Sequence, residues 1–277
     1  MNLLQDDQSV APETLLVGAH ARLMALEDCV PMLVSPDSRR PLFLEDGCLT
    51  DGERSYALRE GLPLLFPERL RAFFTDRLAV PFEHSRAQFL QYFLLATIKQ
   101  SGDVNAPASS LPFHRHLARA RDFLQTCRGT LLDVGCDDPA LSAALLSPEV
   151  SYVGLDPFCA RAEPFRVIGV GEFLPFADAS FDNVLFNTSL DHIMDWHLAV
   201  DEAVRVLRPG GRLVILSYVW TERADLLNDT VHFHHFRDYE VLGKIGEVGL
   251  KVEEELRYVC PKDDTHRHEL FVRAVRP

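Results

Sequence analysis

The sequence predicts an α/β protein built around a mostly parallel sheet. In the second half of the chain, short apolar segments alternate with helical patterns, as in consecutive strand–helix–strand units. The first segment, 130–134, ends at a glycine turn, and a helical pattern over 140–146 follows. The second segment, 151–155, ends at Asp156, an acidic residue roughly 20 positions after that turn. Together these observations predict a ligand site at the carboxyl ends of parallel strands.

The turn after the first strand is the strongest candidate for a ligand-binding element. It has the sequence Gly-Cys-Asp-Asp-Pro over 135–139 and lies directly before the predicted helix. Backbone N–H groups and the positive end of a helix dipole face a ligand in such a turn. Gly135 would let that ligand approach the backbone closely.

Five sequence blocks follow one another over about 129 to 218: LLDVGC, VGLD, EFLPFADASFDNVLF, SLDHIMD and VRVLRPGGRLVIL. In this order and spacing, they resemble the class I S-adenosylmethionine-dependent methyltransferases, of the type that acts on small molecules. The resemblance implies a Rossmann-like seven-stranded sheet of that family, preceded here by an N-terminal helical and small-β extension. It also implies S-adenosylmethionine as the cofactor.

Placed on that fold, the strands are expected at 130–135, 151–156, 166–170, 182–187, 211–218, 250–257 and 269–275. The last two would form the antiparallel pair that ends the sheet of this family. Helices are expected over 198–207, after the fourth strand, and over 115–127, before the first.

The resemblance also assigns the cofactor-binding residues, which follow the strands at one edge of the sheet. They are Gly135, Cys136, Asp137, Asp156, Pro157, Glu172, Phe173 and Asn187. Asp156 would accept hydrogen bonds from the ribose hydroxyls, and Asn187 would lie near the transferred methyl group. Glu172 and Phe173 belong to the segment that lies against adenine in the resembled family.

The first turn departs from the family pattern, which usually has glycines where this chain has Asp137 and Pro139. Proline suits the first position of a helix. Asp137 could bind the ammonium group of the cofactor, or it could repel the cofactor's carboxylate. The acidic residue that usually precedes the adenine segment is replaced by Val170.

Histidines and a carboxylate after the fourth and fifth strands are the candidate catalytic residues. Methyl transfer needs an aligned nucleophile and, where required, a base, for which histidine is the usual candidate near neutral pH. Asp191 and His192 follow the fourth strand. His232 and His235 lie in a loop that covers the substrate in the resembled enzymes.

A metal site is not predicted. His232, His234, Asp191 and Asp264 could meet in space, but no pair of them has a spacing that is diagnostic for a metal ion.

The chain is expected to divide into three units. Residues 1–66 would form an N-terminal helix plus a degenerate zinc-ribbon-like module, 67–126 a helical lid and linker, and 127–277 the catalytic domain. The predicted N-terminal helix covers 12–27. Further helices are expected at 68–77 and 83–99.

The segment 30–66 resembles the zinc-ribbon-like module that often precedes bacterial methyltransferases. Ser35 and Ser38 stand where the first Cys-Pro-x-Cys knuckle of that module would be, and Cys48 is out of register for the second. Because serine hydroxyls do not replace zinc ligands at neutral pH, a metal-free remnant held by apolar packing is expected.

The amino-acid composition disfavours several classes of partner and location. The 277 residues carry a formal charge of −13, which disfavours a nucleic-acid partner, because affinity for nucleic acid comes largely from Lys and Arg. No membrane span and no secretory signal are expected, and the six scattered cysteines favour a reduced, cytoplasmic protein. A homodimer is possible through the N-terminal module.

The leading hypothesis is methyl transfer to a small-molecule, sugar or lipid-linked acceptor, at oxygen rather than nitrogen or carbon. Two alternatives stay open. One is a non-catalytic binding or scaffold protein on the same fold, suggested by Asp137 and Pro139. The other is an RNA methyltransferase that uses the N-terminal module to capture RNA, which would require a basic surface.

Overall fold

The computed structural model describes residues 20–71, 111–157, 164–221, 232–260 and 267–277. Its strands are β1 (Arg22–Leu23), β2 (Phe43–Glu45), β3 (Cys48–Thr50), β4 (Ser55–Arg59), β5 (Leu62–Pro63), β6 (Gly129–Val134), β7 (Val150–Asp156), β8 (Val167–Ile168), β9 (Phe181–Asn187), β10 (Leu207–Trp220), β11 (Lys251–Val259) and β12 (Arg267–Val275). Its helices are α1 (Leu26–Cys29), α2 (Leu111–Leu124), α3 (Pro139–Ala144), α4 (Trp196–Val206) and α5 (Asp238–Glu247). Short 3-10 turns lie at Val30–Met32, Gly171–Phe173 and Leu190–His192.

The large sheet has the strand order β1-β7-β6-β9-β10-β12-β11, and β8 also pairs with β7. Strands β6 to β10 run parallel to one another, whereas β12 runs antiparallel to both β10 and β11. The predicted α/β fold with a seven-stranded sheet is confirmed, including the antiparallel pair at its end. In the described part of the chain, β1 is an additional short strand.

Strand β6 shows why the apolar pattern of the sequence predicts a strand. Leu131, Leu132 and Val134 are buried, as expected for a parallel strand with helices on both faces. The strand stops at Gly135, which has φ +80°. Helix α3 then begins with Pro139 at its first position.

Within its described part, the helix predicted over 12–27 is wrong at Arg22 and Leu23, and only its last two residues, Leu26 and Glu27, are helical. Arg22 and Leu23 instead form β1 and pair in parallel with Ser151 and Tyr152 of β7. The N–H of Met24 donates to the carbonyl of Tyr152 at 2.8 Å. Strand β8 covers only the last residues of β7, so the rest of that edge needs a partner for its backbone groups. Local apolar spacing cannot reveal a partner so distant in sequence.

The other helix predictions before the sheet have mixed outcomes. Helix α2, Leu111–Leu124, confirms a helix before β6 but begins and ends earlier than predicted. Residues 68–71 are helical, and the remainder of the helix predicted to 77 lies outside the described residues. The helix predicted over 83–99 also lies outside them.

Strands β2 to β5 form a small antiparallel sheet that packs on the large one. Leu33 pairs with Phe176 in an antiparallel bridge, and Leu64 pairs with Ile168 in a parallel one. The N–H of Leu65 donates to the carbonyl of Ile168 at 2.7 Å. Buried Leu65 shares one apolar core with Phe176. The small sheet is therefore packed against the strands that lead to the site.

Hydroxyl and carboxylate groups link the loops of the small sheet. The Ser35 and Tyr56 hydroxyls are 2.7 Å apart, and Ser38 Oγ donates to Asp51 Oδ2 at 2.5 Å. Although burial opposes it, hydrogen bonds from Ser38 and from the Arg54 N–H hold the pKa of Asp51 well below its usual range. The two serines at the predicted knuckle thus take part in a hydrogen-bonded network.

No helix in the described ranges is long and apolar enough to cross a membrane.

Candidate active site

The turns that follow β6 and β9 lie against each other at one edge of the sheet. A Cβ added to Gly135 would lie 2.5 Å from Ser189 Cβ, so a larger residue does not fit there. Ser189 Oγ in turn donates to the carbonyl of Val134 at 2.5 Å. This close approach places residues 190–192 beside the first turn.

The first turn keeps a glycine-like backbone despite its two departures from the family pattern. Asp137 has φ +48°, a left-handed conformation that Asp tolerates better than most residues. Its N–H donates to Asp156 Oδ2 at 3.0 Å, and its carbonyl accepts a hydrogen bond from Arg166. Asp138 caps α3 by accepting from the Ala140 N–H at 2.9 Å. The geometry of the turn therefore accommodates both Asp137 and Pro139.

Cys136 contributes packing to this turn. A Cβ added to Gly154 would lie 2.5 Å from Cys136 Sγ, so the thiol fills the space beside that glycine. Burial raises the pKa of the Cys136 thiol well above its usual value. The side chain is neutral, and any contact with a ligand is left to the backbone.

The segment predicted to lie against adenine forms the 3-10 turn Gly171–Phe173. Glu172 is buried, and its Oε1 accepts from the Asp195 N–H at 3.3 Å, so its side chain anchors the start of α4. The guanidinium of Arg69 lies over the Phe173 ring at 4.4 Å from its centre. Pro157 is the last described residue of its loop.

Asn187, at the end of β9, belongs to a buried polar network. Its Oδ1 lies 2.9 Å from His116 Nε2, and His116 Nδ1 lies 3.5 Å from Glu269 Oε1. Arg119 Nη1 donates to Glu269 Oε2 at 2.9 Å. Sequence reasoning did not single out Glu269. The available signal was a charged residue inside the apolar strand β12.

The four residues predicted as catalytic lie together. Asp191 is 3% exposed, and its two carboxylate oxygens lie 3.9 Å from His192 Nε2 and 3.8 Å from His232 Nε2. The His192 and His232 rings stack with centres 4.7 Å apart. The ring of His235 is 6.0 Å from that of His232. Asp191, His192 and His232 could also hold a metal ion, since three potential ligand atoms lie within 4.8 Å of one another.

His234 has a different position from its neighbours. Its Nε2 lies 2.9 Å from the carbonyl of Ile193 and 3.1 Å from that of Met194. Burial lowers the pKa of His234. His234 thus contacts backbone carbonyls with Nε2, whereas Asp264, the other residue considered for a metal set, lies outside the described residues.

Comparison with known proteins agrees with this geometry. Residues 132–215 match the family model described as a methyltransferase domain. The chain is 35% identical over 94 residues to the uncharacterized protein YafE of Escherichia coli (strain K12), a match that covers 31% of this chain and 45% of that protein. It is 33% identical over 132 residues to the ubiquinone/menaquinone biosynthesis C-methyltransferase UbiE of Geotalea daltonii, with 42% of this chain and 56% of that protein covered.

Residues 132–215 of the chain are therefore similar to a methyltransferase domain. The chain spans about half the length of these curated relatives. A similar fold occurs in the 1,6-didemethyltoxoflavin-N1-methyltransferase of Burkholderia thailandensis, solved with S-adenosylhomocysteine, at a TM-score of 0.53 and 18% identity over 72% of this chain and 93% of that one. The fold is that of the class I methyltransferases.

The residues at the sheet edge fit S-adenosylmethionine, the cofactor that the sequence resemblance implies. The buried carboxylate of Asp156 ends β7, where ribose hydroxyls can donate to it. Arg166 is buried beside Asp137, and its Nε has no hydrogen-bond partner among the described residues. A cationic donor at this position can compensate the repulsion between Asp137 and the carboxylate of the cofactor.

Proposed function

We propose that this chain is an S-adenosylmethionine-dependent methyltransferase that acts on a small-molecule, sugar or lipid-linked acceptor. The observation that carries the proposal is the close contact between Gly135 and Ser189. It brings the cofactor turn next to the cluster of Asp191, His192, His232 and His235. Cofactor-binding and acceptor-binding groups therefore share one edge of the sheet.

Each part of the cofactor has a candidate partner in this proposal. Asp156 accepts hydrogen bonds from the ribose hydroxyls. The backbone of the turn that begins at Gly135 holds the methionine part. The 3-10 turn Gly171–Phe173 lies along adenine, with Pro157 near it. Asn187 lies near the methyl group. Its hydrogen bond with His116 restricts the orientation of its side-chain amide.

The reaction is a displacement at the methyl carbon. A lone pair of the acceptor oxygen forms the new C–O bond while the C–S bond breaks, and its electron pair stays on sulfur to give S-adenosylhomocysteine. The hydroxyl proton passes to an imidazole of the histidine cluster or to solvent. Alignment of the oxygen with the C–S bond is the main contribution expected from the protein.

Oxygen is the proposed acceptor atom, and the test also distinguishes methylation at carbon or nitrogen. The names of the related proteins describe a C-methyltransferase and an N1-methyltransferase, so carbon and nitrogen acceptors belong in the same assay. The acidic composition favours small acceptors over nucleic acid.

A cytoplasmic location and a homodimer formed through residues 30–66 remain proposals. The division of the chain into units after residues 66 and 126 is also a proposal.

The experiment is a methyl-transfer assay with S-adenosylmethionine and a panel of phenols, quinols, sugars, amines and polyprenyl-linked acceptors. Formation of S-adenosylhomocysteine that depends on one acceptor class is the expected result. Asp191→Asn should lower kcat/KM for that acceptor, while His197→Gln, in an exposed histidine nearby, should not. Cofactor binding with no transfer to any class would count against the proposal. A folded protein that binds neither cofactor nor acceptor would favour the scaffold alternative.

A further inference from the structure

The cluster of Asp191, His192 and His232 has the composition of a metal site. The potential ligand atoms of these three side chains all lie within 4.8 Å of one another. Two imidazoles and one carboxylate, with further positions open, form a frequent ligand set of catalytic zinc and related cations. We propose that these three residues bind one divalent transition-metal cation of the zinc class at the acceptor side of the site.

One oxygen of the Asp191 carboxylate is not balanced by a hydrogen bond from the described residues. The Asp191 side chain is 5% exposed, and the oxygen without a hydrogen-bond partner among these residues is Oδ1. The contacts to the two imidazoles, at 3.9 and 3.8 Å, exceed the usual hydrogen-bond range. A buried carboxylate in this state is costly unless a positive charge pairs with it. One divalent cation supplies that charge.

The distances between the potential ligand atoms must shorten to form a coordination shell. Zinc lies about 2.0–2.1 Å from imidazole nitrogen, which puts tetrahedral ligand atoms about 3.3 Å apart. The ligand atoms of His192 and His232 are 3.9 and 3.8 Å from those of Asp191. Because the three ligand atoms lie within 4.8 Å of one another, rotation of the two half-buried imidazoles must move their nitrogens by roughly 0.5 to 1.5 Å. Their side chains are 32% and 25% exposed, so the fourth position faces outward.

The backbone already fixes the two ligand-bearing segments relative to each other. The carbonyl of Asp191 accepts from the N–H groups of Phe233 and His234 at 2.9 and 3.2 Å. His234 also reaches the carbonyls of Ile193 and Met194 with its ring. These contacts hold His232 opposite Asp191, as the outer contacts of a metal site hold its ligands.

The role of the cation rests on the proposed function, whereas its binding does not. A hydroxyl group bound to a divalent cation loses its proton to water more easily, which prepares an oxygen nucleophile for methyl transfer. Binding can be measured without cofactor or acceptor.

The experiment uses the full chain without an affinity tag, stripped with chelator and dialysed. Co²⁺ is titrated while the visible absorption of its d–d bands is recorded, and Zn²⁺ is titrated by calorimetry. We expect one equivalent of each, with bands of a four- or five-coordinate site. Asp191→Asn, His192→Gln and His232→Gln should each weaken binding by more than about 100-fold, beyond the 10–100-fold typical of losing an outer contact. His197→Gln, in an exposed histidine, should bind as the wild type does.

A folded wild-type protein that takes up no Co²⁺ or Zn²⁺ would overturn the metal inference, as would binding that survives Asp191→Asn. Thermal melting shows whether each variant is folded. Binding of S-adenosylhomocysteine is measured on the same samples. Methyl transfer by a protein that binds no cation would refute this inference and leave the proposed function intact. Stoichiometric cation binding without cofactor binding would support the metal site and contradict the proposed function.

Discussion

At the scale of single residues, backbone conformation decides what the first turn tolerates. Gly135 and Asp137 both have positive φ, at +80° and +48°. Only Gly135 also faces a steric limit, because Ser189 occupies the position that its side chain would need. Asp137 can therefore replace a glycine of the family pattern, and Gly135 cannot be replaced.

Gly135→Ala should destabilise the protein and weaken cofactor binding. Left-handed strain costs about 1–3 kcal/mol, and the Ser189 contact at 2.5 Å adds to it. Gly210→Ala is the matched control, because Gly210 has φ +77° but open space where its Cβ would be. Urea unfolding and calorimetry with S-adenosylhomocysteine provide the measurements. Equal unfolding free energies for the two variants would show that the Ser189 contact is not limiting.

At the scale of elements, helix α2 is joined to strand β12 by a buried ion pair. Glu269 accepts from Arg119 at 2.9 Å, and His116 lies on its other oxygen. Burial alone would raise the pKa of Glu269, but His116 and Arg119 outweigh it and lower that pKa. The pair fixes the helix beside Asn187, the residue that the proposed function assigns to the methyl group.

Glu269→Gln should lower the free energy of unfolding by about 3–5 kcal/mol near neutral pH, because it leaves Arg119 buried without a counter-charge. The pKa of Glu269 is depressed in the folded state, so its stabilisation is present above the ordinary value of 4.5. It is lost as the pH falls through the folded pKa.

Urea unfolding from pH 7 to pH 3 is the measurement. The difference between wild type and Glu269→Gln should shrink as the pH falls below 4.5. Glu253→Gln, which removes a more exposed pair between Glu253 of β11 and Arg212 of β10, should cost at most about 1 kcal/mol. A difference for Glu269→Gln that is constant over this pH range would contradict the role given to its charge.

The sequence could predict the strands of the large sheet better than the contacts between side chains. The parallel strands of the large sheet were predictable because mostly apolar segments, such as Leu131–Val134, indicate burial on both faces. Strand β1 was not, since its partner lies about 130 residues away. The four catalytic candidates were selected because they follow two strands of the sheet, and the structure brings them together. Their distances, and the contact of His116 with Asn187, depend on tertiary packing that no local pattern encodes.

At the scale of the whole molecule, the small N-terminal sheet shares its core with the large sheet. Leu65 is fully buried in the cluster that contains Phe176 and Leu174. Arg39 Nη2 lies 2.8 Å from Glu202 Oε2, and Arg39 also donates to the Leu174 carbonyl. The two sheets are therefore expected to unfold together.

Leu65→Ala should destabilise both sheets by about 2–5 kcal/mol, the usual cost of truncating a fully buried leucine. Both tryptophans, Trp196 and Trp220, lie in the large-sheet half of the chain, so their fluorescence reports its unfolding. The tryptophan transition should shift to lower urea in Leu65→Ala. Leu44→Ala, in a half-exposed residue of the small sheet, should leave it nearly unchanged. An unshifted tryptophan transition in Leu65→Ala would show that the two sheets are independent.

The most direct test of the account is binding of S-adenosylhomocysteine to the wild type and to Asp156→Ala, measured by calorimetry. The wild type should bind one equivalent. Loss of the hydrogen bonds from ribose to the Asp156 carboxylate should weaken binding by about 10- to 100-fold. Asp122→Ala, in an exposed carboxylate of α2, should bind normally. A folded wild type that does not bind, or an Asp156→Ala variant with unchanged affinity, would contradict the cofactor site described above.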